Sequence, residues 1–339
     1  MWRKKKSLWV AGGAAAGATV VGAAAAAAIV GMSLRALLAK RVPEGAVVVV
    51  TGGSRGLGYA IASRIARRPV KLVLAARDRQ ELERAQASLL EEHPHLTPEN
   101  FYLVAADLSD RGACERLMSE AFDRFGRVDV LVNNAGIIKV GPVEDQSLET
   151  FEYALRIMYQ AGLYTTMAAL PRLLRQEPLP GWGRRAAIVN ISSIGGKVAV
   201  PHLLPYSAAK FAMVGFSEGL HAELRHKGIH VMTVCPGLMR TGGEDHAEFV
   251  GQVEKEKAWF RFGAKTPGIS CSVEHAARKI VSSLEVGRAE ITITPQAWLA
   301  ARIAGMCPET AQWVAAQANH WILPASDANR PAIEAQATS

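Results

Sequence analysis

Tyr206 and Lys210 lie four positions apart, and Ser193 precedes the tyrosine by thirteen. On a helix, a four-residue spacing puts two side chains on one face. An ammonium beside a phenol favours the phenolate and would bring the tyrosine down from its usual pKa of about 10. A phenol so placed can exchange a proton with a carbinol or carbonyl oxygen. A serine hydroxyl within reach can hydrogen-bond the same oxygen and hold it. In isolation such a pair is a surface tyrosine and lysine on an amphipathic helix, so its meaning depends on what the chain builds around it.

The stretch that organises the rest is Ala46-Val-Val-Val-Val-Thr51-Gly52-Gly53-Ser54-Arg55-Gly56-Leu57-Gly58, followed by the apolar-periodic segment Tyr59 to Arg67. It predicts strand, tight turn and helix. Glycine suits the turn's backbone angles and lets a pyrophosphate approach the helix N-terminus that attracts it. A dinucleotide site is expected, the alternative being an ordinary glycine-rich turn. Further apolar runs at 71–76, 101–106, 128–132, 186–191, 229–234 and 291–294 predict six more strands. Helical patterns near 79–92, 110–125, 148–175, 205–226 and 273–285 separate them. This alternation predicts an α/β, Rossmann-type, doubly wound parallel sheet of seven strands with helices on both faces.

A second signature, Asn133-Asn134-Ala135-Gly136, ends the fourth strand, and Tyr206-Ser-Ala-Ala-Lys210 with Ser193 follows at the fifth. With the glycine turn, these motifs resemble the short-chain dehydrogenase/reductase family from about Ala46 to Thr294. The resemblance implies catalysis by Ser193, Tyr206 and Lys210, with Lys210 also holding the nicotinamide ribose. It implies a cofactor cradle of Thr51, Gly52, Ser54, Arg55, Gly56, Leu57, Gly58, Asn134, Ala135 and Gly136. Asp107 matches an adenine-contacting position, with a helix cap as its plainer reading. Pro236, Gly237 and Thr241 match the segment that closes on the nicotinamide amide. Where NAD-preferring members carry an acid at the end of the second strand, this chain has Ala76-Arg77, and Arg55 adds a cation in the turn. NADP is therefore expected over NAD.

One departure stands out. The family's relay asparagine would fall at Met158 or Tyr159, and there is no asparagine between Asn134 and Asn190. A thioether cannot order a relay water as an amide does, so a modified proton route is expected, with Tyr159 or Gln160 as candidates. The expected function is hydride transfer between NADP and a secondary alcohol or ketone. The alternative is a catalytically weak nucleotide-binding scaffold or redox sensor. Phe249, Trp259, Phe260 and Phe262 lie in the expected lid, 242–270, and suit either an apolar substrate or packing of the lid itself.

The formal charge of +8 is concentrated at the N-terminus, where residues 1–41 hold seven basic residues and no acid, leaving the rest of the chain at +1. A basic face for nucleic acid is thus not expected. Between the basic residues, Ser7 to Leu34 runs for 28 residues without a charge. As a helix it would reach about 42 Å, more than the roughly 30 Å of bilayer hydrocarbon. A single-pass N-terminal membrane anchor over 1–41 is expected, with a cleavable signal peptide as the alternative. Cofactor supply favours the cytoplasmic face.

The remaining expectations are a catalytic domain at 42–295, a C-terminal helical extension at 296–324 and a polar tail at 325–339. The extension resembles a membrane-resting surface or a cap on the core. The long helices suggest a homodimer or homotetramer. Four scattered cysteines and nine unclustered histidines predict neither disulfides nor a metal site.

Overall fold

The computed structural model describes residues 39–240, 247–265 and 270–326. The chain divides between Arg41 and Val42, and the described residues of the second unit carry the architecture below. Seven strands form the main sheet: β1 (Val47–Thr51), β2 (Lys71–Ala76), β3 (Phe101–Ala105), β4 (Val130–Asn133), β5 (Ala186–Ile191), β6 (Ile229–Cys235) and β7 (Glu290–Thr292). They run parallel in the order β7-β6-β5-β4-β1-β2-β3. The order turns back between β1 and β4, and at such a switch point the carboxyl ends of the strands leave a crevice.

The period-2 alternation of strands explains the two-faced core. Val48 and Val50 of β1 join Ile61 and Ile65 of helix α1 (Gly56–Ile65) on one side of the sheet. Val47 and Val49 join Leu117 and Leu131 on the other. Both faces are therefore apolar, and β1 reads as a continuous β-branched run buried along its whole length.

Helices α2 (Arg79–Glu92) and α3 (Arg111–Phe125) start at Asp78 and Asp110. The Asp78 carboxylate accepts the amides of Gln80 and Glu81, and that of Asp110 accepts Ala113 N. Each cap satisfies amides that the helix itself cannot and contributes on the order of 1 kcal/mol.

The continuous apolar period over 148–175 predicts one helix, but the structure has three segments. Helix α4 (Leu148–Leu155) passes into a π-helical turn (Arg156–Gln160) and then into α5 (Ala161–Leu173). Ala161 N reaches back five residues to Arg156 O, so one residue is inserted into the helix without breaking it. Downstream lie α6 (Leu204–Leu224), α7 (Val253–Lys265), α8 (Val273–Val286), α9 (Pro295–Met306) and α10 (Pro308–Trp321). A short parallel pair joins Lys139–Val140 to Glu248–Phe249 just before α7.

The expected C-terminal helices are α9 and α10, joined at Cys307, and they leave Trp298, Trp313 and Trp321 exposed. The run 7–34, Thr241 and the tail beyond Ser326 lie outside the described residues. Among the described residues no helix is long and apolar enough to cross a membrane.

Candidate active site

The turn after β1 is built by close approach. Gly52 and Gly56 adopt φ of +63° and +56°, angles that a side chain resists. Gly58 has no room for a Cβ, which would collide with Gly52 O and lie 2.6 Å from Asn134 Nδ2. Thr51 Oγ1 receives the amides of Asn134 and Ala135 at 2.8 and 3.1 Å, and Asn134 Nδ2 donates to the carbonyls of Thr51 and Gly52. The two expected cofactor segments are thus locked to each other across the switch point. No side chain caps the α1 N-terminus, where Arg55 sits in extended conformation.

Two adjoining hollows run along the strand ends. One, of about 380 Å³, is lined by Gly52, Ser54, Arg55, Arg77, Asp78 and Glu81. The other, of about 470 Å³, is lined by Leu57, Ser193, Tyr206, Lys210, Pro236 and Gly237. Arg55, Arg77, Asn134, Gly136 and Ile137 line both, so the hollows form one trough. Its glycine cradle and uncapped helix amides fit a dinucleotide pyrophosphate. Among the described residues no group of His, Cys, Asp or Glu could hold a metal ion.

At the far end, β5 delivers Ser193 and α6 delivers Tyr206 and Lys210. Ser193 is buried, and its Oγ accepts Gly195 N at 3.0 Å. Lys210 is buried as well, donating from Nζ to Ile191 O at 2.8 Å, with Nζ 5.7 Å from the centre of the Tyr206 ring. The electrostatics differ from the expectation of a lowered tyrosine. Burial raises the Tyr206 pKa, with hydrogen bonding to Ser193 acting against it. Burial also lowers Lys210 to about 8. Both shifts have one cause: burial drives each group toward its neutral form more strongly than the pair is drawn into an ammonium and a phenolate.

At the end of β2, Asp78 serves as the α2 cap, while Arg77 reaches Tyr153 OH at 3.2 Å. Arg55 pairs with Glu81 at 3.0 Å, and Ser54 donates to the other oxygen of the same carboxylate. Glu81 was not legible as part of the site, because its link to the turn spans 26 residues of sequence. Asp107 accepts Ser109 N at 2.9 Å and lines an adjoining hollow with Arg79 and Asp110, while its neighbour Leu108 lines the trough.

Beneath the site lies a buried polar network with a single faint sequence signal, polar residues inside otherwise apolar strands. Asn133 Nδ2 donates to Asn190 Oδ1 at 2.9 Å, and Asn133 Oδ1 accepts Thr165 Oγ1 at 2.8 Å. Asn190 in turn reaches Ser217, which Thr233 also contacts. The network ties β4, β5, β6, α5 and α6 together directly below the catalytic candidates. Of the two positions where the family's asparagine would fall, Met158 is buried and Tyr159 half-buried, both in the π-helical turn. A Cβ on Gly136 would lie 3.4 Å from Met158 Cγ, in ordinary contact.

Residues 46–248 match the short chain dehydrogenase family. Among curated relatives, a dehydrogenase/reductase SDR family protein 7-like of Anopheles gambiae is 35% identical over 198 residues, 58% of this chain and 60% of that one. Dehydrogenase/reductase SDR family member 7 of Homo sapiens is 33% identical over 210 residues, 62% of this chain and 59% of that one. The chain thus spans about 60% of the length of these relatives. A Burkholderia phymatum short chain dehydrogenase/reductase, solved in complex with NAD, aligns with a TM-score of 0.69 at 22% identity, covering 79% of this chain and 95% of that one. At that identity the likeness shows the fold, a parallel sheet that in that protein holds a nicotinamide dinucleotide. The family match, which covers more than half of the chain, settles its membership: it belongs to the short chain dehydrogenase family.

Proposed function

We propose that this chain is an NADP-dependent oxidoreductase that moves a hydride between the nicotinamide and a secondary alcohol or ketone. The observation that carries the reading is the convergence of Ser193, Tyr206 and Lys210 in one hollow that continues into the glycine cradle. Bound in the trough, the nicotinamide supplies or accepts the hydride. The protein's own groups supply the proton and the geometry.

In the reductive direction, Tyr206 OH gives its proton to the oxygen that becomes the alcohol, and Ser193 Oγ holds that oxygen by a hydrogen bond. The raised pKa keeps Tyr206 protonated, which suits a proton donor. Lys210, held by Ile191 O beside the tyrosine ring, stabilises the phenolate left behind. Thr51, Gly52, Ser54, Gly56, Leu57 and Gly58, with Asn134, Ala135 and Gly136, cradle the dinucleotide. Pro236 and Gly237, which line the trough, would hold its amide end, with Thr241 named for that role by the family resemblance alone.

Arg55 and Arg77 at the trough's adenosine end support NADP over NAD, and the acid that works against them is Glu81. A lipophilic substrate fits the apolar cluster of Val140, Leu203 and Phe260, against which Tyr206 packs. The unit boundary after Arg41 supports a catalytic domain that begins at 42, and we assign its end at 295 and the helical extension at 296–324 from α9 and α10. Residues 7–34 act as a membrane anchor on the cytoplasmic face, and the exposed tryptophans of α9 and α10 suit a water–lipid boundary. Exposed Met167 and Phe211, on α5 and α6, support pairing of two copies through these helices.

The test is fluorescence titration of the full chain in detergent with NADPH and NADH, followed by turnover on aryl ketones and keto-steroids. Tighter binding of NADPH and turnover that falls by about 10²–10⁴ in Tyr206→Phe are expected. Equal or tighter binding of NADH would overturn the choice of cofactor. Binding without turnover of any ketone would overturn the enzymatic reading.

A further inference from the structure

His202 is the one described non-glycine residue with a positive φ, +63°. It is buried, four positions before Tyr206 and just ahead of α6. Non-glycine residues enter this region at a cost, and they persist where surrounding contacts over-determine them. Here the contacts are specific. Gly141 N donates to His202 O at 2.9 Å. On the side-chain side, His202 Nδ1 lies 2.8 Å from Glu256 Oε1.

Glu256 belongs to α7, a helix in which Glu254, Lys255 and Arg261 face water while Glu256 alone among the acids is fully buried. Its second oxygen accepts Trp259 Nε1 at 2.6 Å. A buried carboxylate is tolerated when both oxygens are bonded, and here one imidazole and one indole complete the set. The indole also stands edge-on to the His202 ring at 6.3 Å and to the Phe260 ring at 5.8 Å. Phe260 completes the apolar cluster with Val140 and Leu203 against which Tyr206 packs.

We propose that His202, Glu256 and Trp259 form a clasp that seats α7, the lid helix, over the substrate end of the trough in register with the first turn of α6. The three are positioning residues. They fix where the lid wall stands relative to Tyr206, so they set substrate affinity and leave the cofactor cradle alone. This rests on the reading of α7 as a substrate lid, and the test separates the two.

His202→Gly accepts the positive φ without strain but removes the imidazole, whereas His202→Asn tolerates the angle and keeps a donor. Glu256→Leu removes the charge from the other side. All three are first checked for an unchanged circular dichroism spectrum and NADPH titration. Trypsin cleavage after Lys255, Lys257 and Arg261, resolved by mass spectrometry, then reports lid docking whether or not any ketone is turned over. Loss of a bonded buried partner is expected to speed cleavage there about tenfold in His202→Gly and Glu256→Leu, with His202→Asn close to the unaltered protein. On the best ketone of the panel, KM rises by a similar factor in the same two variants and kcat falls less.

Unaltered cleavage in His202→Gly and Glu256→Leu would overturn the clasp. Equal acceleration in His202→Asn and His202→Gly would overturn the side-chain role. Faster cleavage with KM unchanged would leave a clasp on α7 and refute the lid as a substrate wall.

Discussion

Lys210 is held near a pKa of 8 by burial, against an ordinary lysine value of 10.5. The unfolded chain restores the ordinary value, so over the interval from about 8 to 10.5 the unfolded state binds more protons than the folded one. Stability therefore rises with pH across that window, and below it the folded state carries the full penalty of a desolvated ammonium. Two and a half units amount to about 3 kcal/mol at 1.36 kcal/mol per unit. Lys210→Met keeps length and apolar packing, removes the penalty, and forfeits the bond to Ile191 O, a loss of roughly 1 kcal/mol or somewhat more.

The variant should thus be the more stable protein at pH 7, by about 1–2 kcal/mol, and the less competent one. Its advantage should fade between pH 8 and 10, since only the unaltered chain gains there. Urea unfolding of both proteins without cofactor, at half-unit steps from pH 6.5 to 10, measures the difference while cancelling groups common to both. A difference that stays flat with pH, or a variant less stable at pH 7 than the unaltered chain, would refute the account of Lys210 as a residue held at a cost for its chemistry.

Two further outcomes follow from the cradle. Gly58→Ala forces a Cβ against the backbone of Gly52 and the Asn134 amide, and should lower stability by about 1–3 kcal/mol and weaken NADPH binding; Gly215→Ala, where nothing lies within 4 Å, should stabilise instead, as thermal melts of the two would show. Glu81→Gln keeps a partner for Ser54 but removes the charge paired with Arg55, so NADPH binding should tighten roughly two- to fivefold relative to NADH, and an unchanged ratio in paired titrations would remove Glu81 from cofactor choice.

What was legible in the sequence was whatever is written in short-range pattern. β1, β2 and β5 follow from β-branched or alanine-rich apolar runs, and α2 and α3 from the helical periodicity of 79–92 and 110–125, because strand burial and helical patterning are decided within a few residues. The trough residues were legible because strand-end turns and a four-residue helical spacing are local too. What escaped was decided across the fold. Glu81 meets Arg55 only once α2 packs beside the glycine turn, and the positive φ of His202 depends on what Gly141 and Glu256 do to it. The π-helical turn escaped because inserting one residue leaves an apolar pattern almost unchanged.

That turn bears on the missing asparagine. The resemblance implies that an asparagine amide in this helix orders a water of the proton path. In this chain the helix carries a π-helical turn at Arg156–Gln160, where a backbone hydrogen bond spans five residues and no asparagine is present. Met158 fills the space beside Gly136 with a side chain that neither donates a proton nor accepts one strongly. The polar continuity below the site comes instead from Asn133 and Asn190, one strand layer deeper, whose amides are already engaged with each other, Thr165 and Ser217. Lys210 Nζ is bonded to the Ile191 carbonyl, an acceptor that orients the ammonium but takes up no proton from it.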